Sequence, residues 1–310
     1  MVMAAVNWAE LLTPQLTEAF FVGFTESGRR SSVIDDLFRV LPSERAFEEH
    51  LGVGQFGSDG WTFEKTGRVQ YDEPNKGYKT TFTHVEFAKG FLVQRKLIDD
   101  NLTNIPLDSA GNLGDSAFRK REKDGASIFN NGFTDSGVDA SGFAIAGADG
   151  VGLLSLVHPY SPSDASTQAN EGTLALTKAN VQTTRTAMMK FVDDRGDILN
   201  VMPDTLLVPP ELEDDALVIN KSLLDPASAN NAINPNNGRL TTKVWYYLTD
   251  ATAWFMIDAA RMKRDLIWYD RIPLEFGREQ DFDTYEAKFR AYMRFTRNWR
   301  DYRWIYGQNG

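Results

Sequence analysis

The sequence contains no cysteine, which excludes disulfides, thiolate nucleophiles and Cys-ligated zinc. Histidine is nearly as scarce. With only His50, His84 and His158 there is no set from which to build a multi-histidine metal centre, and no metal or cofactor is expected. Basic charge is also short: 33 Lys and Arg stand against 43 Asp and Glu, a net charge of -10. A dedicated nucleic-acid binder needs a basic footprint to displace counterions from phosphates, so that class is excluded. No apolar run approaches the ~20 residues that cross a bilayer. The first basic residue is Arg29, so no secretory signal is expected at the N-terminus. A soluble, disulfide-free protein with no membrane partner is expected.

What is present suits a packed chain. The length of 310 residues, 42% apolar and 25% charged, points to about two structural units with a sizeable core. Residues 261–310 carry 11 Lys/Arg and 8 Asp/Glu, a local +3, which leaves -13 on residues 1–260. That asymmetry is too mild for a binding tail.

Thr13-Pro14 reads as a cap followed by proline at the first helical position, and Leu16, Phe20 and Phe24 continue as an apolar stripe. Residues 33–51 form a second short apolar-acidic segment. Between Gly57 and His84 only Val69 is aliphatic, while Trp61, Phe63, Tyr71, Tyr78 and Phe82 are scattered among charges and threonines. The turn Asp72–Gly77 in its middle predicts a long hairpin across that turn. With so little aliphatic surface the hairpin needs support from the body or from another subunit.

A charged helix is expected from about Leu113 to Asn131 after a Pro/Gly-rich break, then a loop over 137–150 and a buried strand over 151–159. Thr177 caps a helix that should end at Gly196, with Val181, Met188 and Phe191 on one face. A strand over 204–208 and a helix from Pro210, striped by Leu212, Ala216, Ile219 and Leu223, complete an α/β unit. An asparagine-rich loop (Asn230, Asn231, Asn234, Asn236, Asn237) follows. Thr241–Leu248 and Ala253–Asp258 read as a hairpin. Tyr285, Ala287, Phe289, Ala291, Met293 and Phe295 alternate with Glu286, Lys288, Arg290, Tyr292 and Arg294. This period of two predicts one long strand with a wet, basic face.

The catalytic patterns dissolve on inspection. Gly52-Val-Gly54-Gln-Phe-Gly57 has the dinucleotide spacing, but neither the preceding strand nor the following helix that the chemistry requires; it reads as a turn. The acidic pairs Asp35-Asp36, Asp99-Asp100, Asp193-Asp194 and Asp214-Asp215 lack the alternating spacing of a calcium loop and read as solvated caps. His158-Pro159 has no Gly-x-Ser-x-Gly partner and reads as a structural histidine. Arg195-Gly196-Asp197 reads as a helix-ending turn, and Lys65, Lys76 and Lys79 as surface lysines. No enzyme is expected.

The order of segments resembles the major capsid proteins of tailed phages with the Hong Kong 97-type fold, and within them the Mu-like major head subunits. The resemblance runs through Asp149-Gly150, Leu153-Leu154-Ser155 and His158-Pro159. It continues through Leu176–Asn180 with Met188, Asp194-Arg195-Gly196, Pro203 and Leu206–Leu212. Asn234-Pro235, Leu248, Trp254 and Arg300–Arg303 extend it, so that it spans about residues 10–306. It implies an α+β fold with an N-terminal arm (1–51), an E-loop hairpin (52–90), a P domain with its spine helix (91–150), an A domain (151–240) and C-terminal strands returning to the P domain (241–310).

The implied function is a structural major capsid protein that assembles with itself as pentamers and hexamers into an icosahedral head around double-stranded DNA, without sequence-specific binding. Portal, scaffold and decoration proteins are the further partners, and the location is the virion capsid, assembled in the host cytoplasm. Trp61, Tyr71, Tyr78, Phe82, Arg290 and Arg294 are the expected inter-subunit contacts, since buried aromatics anchor interfaces. The rival readings are a non-viral protein compartment of the same fold and a hydrolase built on His158.

Overall fold

A computed structural model describes residues 8–27, 32–58, 61, 67–69, 71–100, 104–224, 233–281, 284 and 286–310. Helices α1 (Trp8–Ser27) and α2 (Val33–Leu37) lead into strands β1 (Arg39–Pro42), β2 (Phe47–Val53), β3 (Lys76–Thr83) and β4 (Val85–Gln94). A short α3 (Arg95–Asp99) precedes the long helix α4 (Asn104–Asn130). Next come β5 (His158–Ser161), β6 (Asp164–Gln168), β7 (Glu171–Gly172), α5 (Lys178–Met189), β8 (Thr205–Val208) and α6 (Glu213–Lys221). The last third holds β9 (Thr241–Val244), β10 (Ala253–Ile257), α7 (Ala259–Asp265), β11 (Leu266–Asp281), β12 (Glu286–Trp299) and β13 (Ile305–Asn309).

Two sheets carry the fold. The first has the order β1-β11-β12-β4, and the second β7-β13-β10-β8-β9. In the first, β11 and β12 form a long antiparallel pair running from Leu266↔Trp299 to Asp281↔Glu286. The alternation read from the sequence is what puts Ala287, Phe289, Ala291, Met293 and Phe295 inside; Tyr285 lies outside the described residues. The largest apolar cluster joins the two sheets through Trp268, Phe295, Trp245, Trp304 and Phe129. A second packs α5 and α6 onto the five-stranded sheet through Val181, Met188, Leu206, Ala216 and Trp254.

Helix α4 begins well before the expected Leu113. Pro106 stands in its first turn, where a backbone N–H would have no intrahelical acceptor, so the ring is tolerated there. The glycines that suggested a break are where α1 crosses. A Cβ on Gly114 would lie 2.0 Å from Phe20 O, and one on Gly23 2.1 Å from Gly111 O. Helix α1 in turn contains Pro14 instead of starting at it. Leu12, Leu16 and Phe20 bury one four-residue stripe against α4 and β12, and that burial offsets the roughly 3 kcal/mol cost of an internal proline.

Several other expectations are corrected. Strand β3 pairs with β2, in a register from Phe47↔Thr83 to Val53↔Lys76, so Asp72–Gly77 is not a hairpin turn and the connection is the whole stretch 54–75. The expected boundary at residues 51/52 therefore cuts through β2. Residues 151–157 form no strand. The Asn170 side chain takes a neighbour's place there, accepting from Ser155 N and donating to Leu153 O, each at 2.9 Å. Thr177 does cap α5, accepting from Asn180 N at 3.2 Å, but the helix ends at Met189 and Gly196 belongs to a later turn.

Leu223 lies beyond α6 and is exposed. Asn234 is a buried plug, donating to Ile219 O at 2.8 Å and Ser222 O at 2.9 Å; Asn230 and Asn231 lie outside the described residues. Finally, β9 and β10 are not a hairpin. The crossover through α6 makes β9 parallel to β8, and β8 sits between it and β10. With β10 and β13 in the second sheet, a division at residue 240 would split that sheet.

Candidate functional site

The β2–β3 pair is a two-stranded ribbon, and its two faces are unlike. The inner face rests on β11. Phe82 is fully buried with Ile267 and Tyr269, its ring centroid 5.2 Å from that of Tyr269 in an edge contact. His50 Nε2 lies 2.7 Å from the Tyr269 hydroxyl. The outer face exposes Phe47, Leu51 and Val53. Past the strand ends Phe56 and Val69 are exposed, Trp61 is 88% exposed and Tyr71 94%.

The expected contact residues therefore separate. Trp61 and Tyr71 are presented to solvent. Tyr78 is half-buried, with burial pushing its hydroxyl pKa up. Phe82 is corrected: it is a core residue of its own subunit and can reach no neighbour without unfolding β3. Arg290 projects from the outer face of β12 and is exposed, whereas Arg294 is partly covered, with Nε 3.7 Å from Glu86. Lys288 pairs with Asp281 at 3.2 Å, so the basic face of β12 is partly neutralised. Lys79 pairs with Glu49 at 2.7 Å, and Lys65 lies outside the described residues.

The loop end of the ribbon, past Val53 and Lys76, meets the turn after α5. Asp194 Oδ1 accepts from Gln55 N at 2.9 Å, and its Oδ2 from Asn75 Nδ2 at 2.9 Å. Asp197 Oδ2 accepts from Ser58 N at 2.9 Å. Arg195 grips Asp72 at 2.9 Å and donates to Glu73 O at 2.8 Å. Asp193 and Asp194 are thus not solvated caps: both are buried. These partners are over a hundred residues apart, and no local pattern announces them.

Between the ribbon and the body lies a cavity of about 350 Å³, lined by Arg261, Arg264, Arg300 and Arg303 together with Asp149, Asp193, Asp265 and Asp301. Its charges cancel locally: Arg264 and Arg300 both bond Asp265, and Arg303 bonds Asp301. No nucleophile is set up at His158. The ring is buried and stacked on Tyr302 with centroids 3.8 Å apart. Both of its nitrogens are taken, Nδ1 by Asp149 at 2.6 Å and Nε2 by Leu153 O at 3.3 Å. Ser43 Oγ and His84 Nε2 meet at 3.1 Å, but His84 Nδ1 has no hydrogen-bond partner and no carboxylate orients the ring.

The sequence profile of one family, described as phage capsid protein, matches residues 77–307. No curated protein matches the chain in sequence. Among solved structures, the virus-like particle from Pyrococcus furiosus superposes with a TM-score of 0.53 at 9% identity, covering 95% of this chain and 98% of the other. The capsid of bacteriophage JBD30 gives 0.54 at 16% identity, with 70% and 91% covered. The capsid of an empty GTA particle gives 0.54 at 13% identity, with 89% of each chain covered. At these identities the likeness is one of fold.

Proposed function

Since the chain belongs to the phage capsid protein family and is a structural, non-enzymatic shell protein of Hong Kong 97-type fold, we propose that it is the major head subunit of a tailed phage, of the Mu-like kind, assembling as pentamers and hexamers around double-stranded DNA. The observation that carries this reading is the family match joined to the ribbon. Trp61, Val69 and Tyr71 beyond the ribbon's end stand in water, and large exposed aromatics at an extension are interface anchors awaiting a neighbour.

In this reading β2–β3 and the 54–75 connection are the E-loop. The first sheet with α4 is the P domain, and the second sheet with α5 and α6 is the A domain, its share including β10 and β13. Trp61, Tyr71, Tyr78, Arg290 and Arg294 remain the proposed inter-subunit contacts. A formal charge of -10 per subunit suits a lining that must release DNA, because phosphates bound tightly would oppose ejection. Portal, scaffold and decoration proteins are the proposed further partners, and assembly takes place in the host cytoplasm.

Negative-stain microscopy of the purified protein, with analysis of the particle contents, tests this. Closed shells holding double-stranded DNA when made in the infected host support the phage head. Shells holding a cargo protein instead make the chain a compartment subunit, and a particle-free monomer at all concentrations overturns the reading.

A further inference from the structure

We propose that the turn Asp193–Asp197 is a latch that pins residues 55–58 and 72–75, the two ends of the connection between β2 and β3, to the subunit's own body before any neighbour arrives. What the loop is for rests on the capsid reading; the latch itself is a property of the single chain.

The latch is built from both sides. On the body, Asp193 Oδ1 accepts from Arg195 N at 2.8 Å and Asp197 N at 2.9 Å, which shapes the turn from within. Arg303 Nε donates to Val192 O at 2.9 Å and ties that turn to the C-terminal segment. On the loop, Gly54 N donates to Asn75 O at 2.7 Å, closing the two ends on each other. The Asp194 carboxylate then bridges them, taking Gln55 N from one end and the Asn75 amide from the other. Gly54 permits this approach: a Cβ there would lie 2.2 Å from Asp194 Oδ2.

Magnitudes rank the parts. The Arg195–Asp72 pair has side chains 26% and 47% exposed, and ion pairs so open to water contribute little. Asp194 is buried, and charge-assisted bonds to a buried carboxylate are about twice as strong as neutral ones. Asp197 adds one such bond at the surface, where the Ser58 N–H holds its carboxyl below the usual range. Asp194 is therefore the positioning residue, with Arg195 secondary.

Hydrogen exchange of the disassembled full-length subunit, read by mass spectrometry over peptides containing Gln55–Ser58, tests the latch. Asp194→Asn removes the charge and offers its amide to donors, so exchange at 55–58 should accelerate about tenfold, the loss expected for bonds to a charged acceptor. Gly54→Ala should do the same without touching a charge, and Arg195→Ala should give no more than about threefold. Exchange in β8 and β10 should not change. Wild-type rates at 55–58 in both Asp194→Asn and Gly54→Ala overturn the latch, and so does wild-type protection that appears only at concentrations where shells form, which would assign the contact to a second copy. If Asp194→Asn fails to fold, Gly54→Ala and Arg195→Ala decide. Microscopy of the wild type judges the capsid reading separately, so either can fail alone.

Discussion

Trp245 Nε1 donates to Glu122 Oε2 at 2.8 Å from within the largest apolar cluster. Ser32 Oγ bonds the other oxygen at 2.7 Å, so a carboxylate on α4 joins the segment leading into α2 to the chain after β9. No cation accompanies it in these bonds, and burial pushes its pKa above the ordinary 4.5 in spite of these donors and the Ile34 N–H.

Glu122 should therefore make the subunit less stable as pH rises. A carboxyl with a raised folded pKa binds its proton more tightly when folded, so its stabilising share is complete below 4.5 and is lost as pH climbs through the raised value. Glu122→Gln keeps an oxygen for Trp245, and its stability relative to wild type should improve from pH 4.5 to pH 8 in urea unfolding. Glu122→Ala leaves the indole N–H unpaired and should cost about 1–3 kcal/mol. A Glu122→Gln variant that loses ground at pH 8 would refute the argument.

Phe82 on β3 and Tyr71 on the connection before it should behave in opposite ways. Phe82→Ala empties a buried site against Ile267 and Tyr269 and should cost about 3–5 kcal/mol in the isolated subunit. Tyr71→Ala and Trp61→Ala should stay within about 0.5 kcal/mol of wild type, yet lower the yield of closed shells seen by microscopy. Deleting residues 64–82 would remove most of β3 and Phe82 with it, so that truncated subunit should unfold. Replacing 59–70 with a Gly/Ser linker should leave a folded subunit that does not close shells. Normal shells from the linker variant would remove the loop from the interface.

The contrast between these two aromatics shows what the sequence could and could not convey. Strand β12 was legible because one face is buried and the other wet, so its apolar residues alternate. Strand β2 was not, because its inward residues are Glu48, His50 and Gly52 while Phe47, Leu51 and Val53 face out. A pattern reversed in this way gives no hydrophobic signal. Without β2, the turn residues Asp72–Gly77 point to a partner for β3 on the wrong side, and Phe82 looks like one more exposed aromatic. The N-terminal half of α4 was hidden for a different reason: its glycines serve a helix crossing and look like a loop. The Asp194 contacts join residues over a hundred positions apart, and spacing along the chain carries no trace of them.

Assembly should be favoured by salt. Each subunit carries a formal -10, and repulsion summed over many copies opposes closure until it is screened. The Debye length falls from about 30 Å at 0.01 M to about 10 Å at 0.1 M, so shell yield by light scattering should rise over that range. A flat or falling yield would mean that attractive ion pairs between subunits dominate.

Mild acid should loosen the ribbon at its root. His84 is the residue between β3 and β4, and it is buried. Ser43 Oγ spends its one proton on Glu48 Oε1 at 2.9 Å, so the 3.1 Å contact with His84 Nε2 has the histidine as donor. Nδ1 is then the bare nitrogen, and it is buried without a hydrogen-bond partner among the described residues. A proton added there would find no partner, in the same direction as the burial and the Arg294 and Arg271 charges that hold the pKa of His84 below 6.5 against the pull of Glu48. His50 on β2 is likewise held low, by burial and by Arg300 and Arg39, with Glu48 again opposing. For a base with a depressed folded pKa, the unfolded chain binds more protons, so stability is complete above 6.5 and falls as pH drops toward the folded value. The thermal midpoint of the subunit should therefore fall between pH 7.5 and pH 5. His84→Gln keeps a donor for Ser43 without a titrating ring and should flatten that fall in part. Adding His50→Gln should flatten it further, against the opposite slope of Glu122. If the single and double variants lose as much as wild type over this interval, the histidines do not govern the acid response of the ribbon.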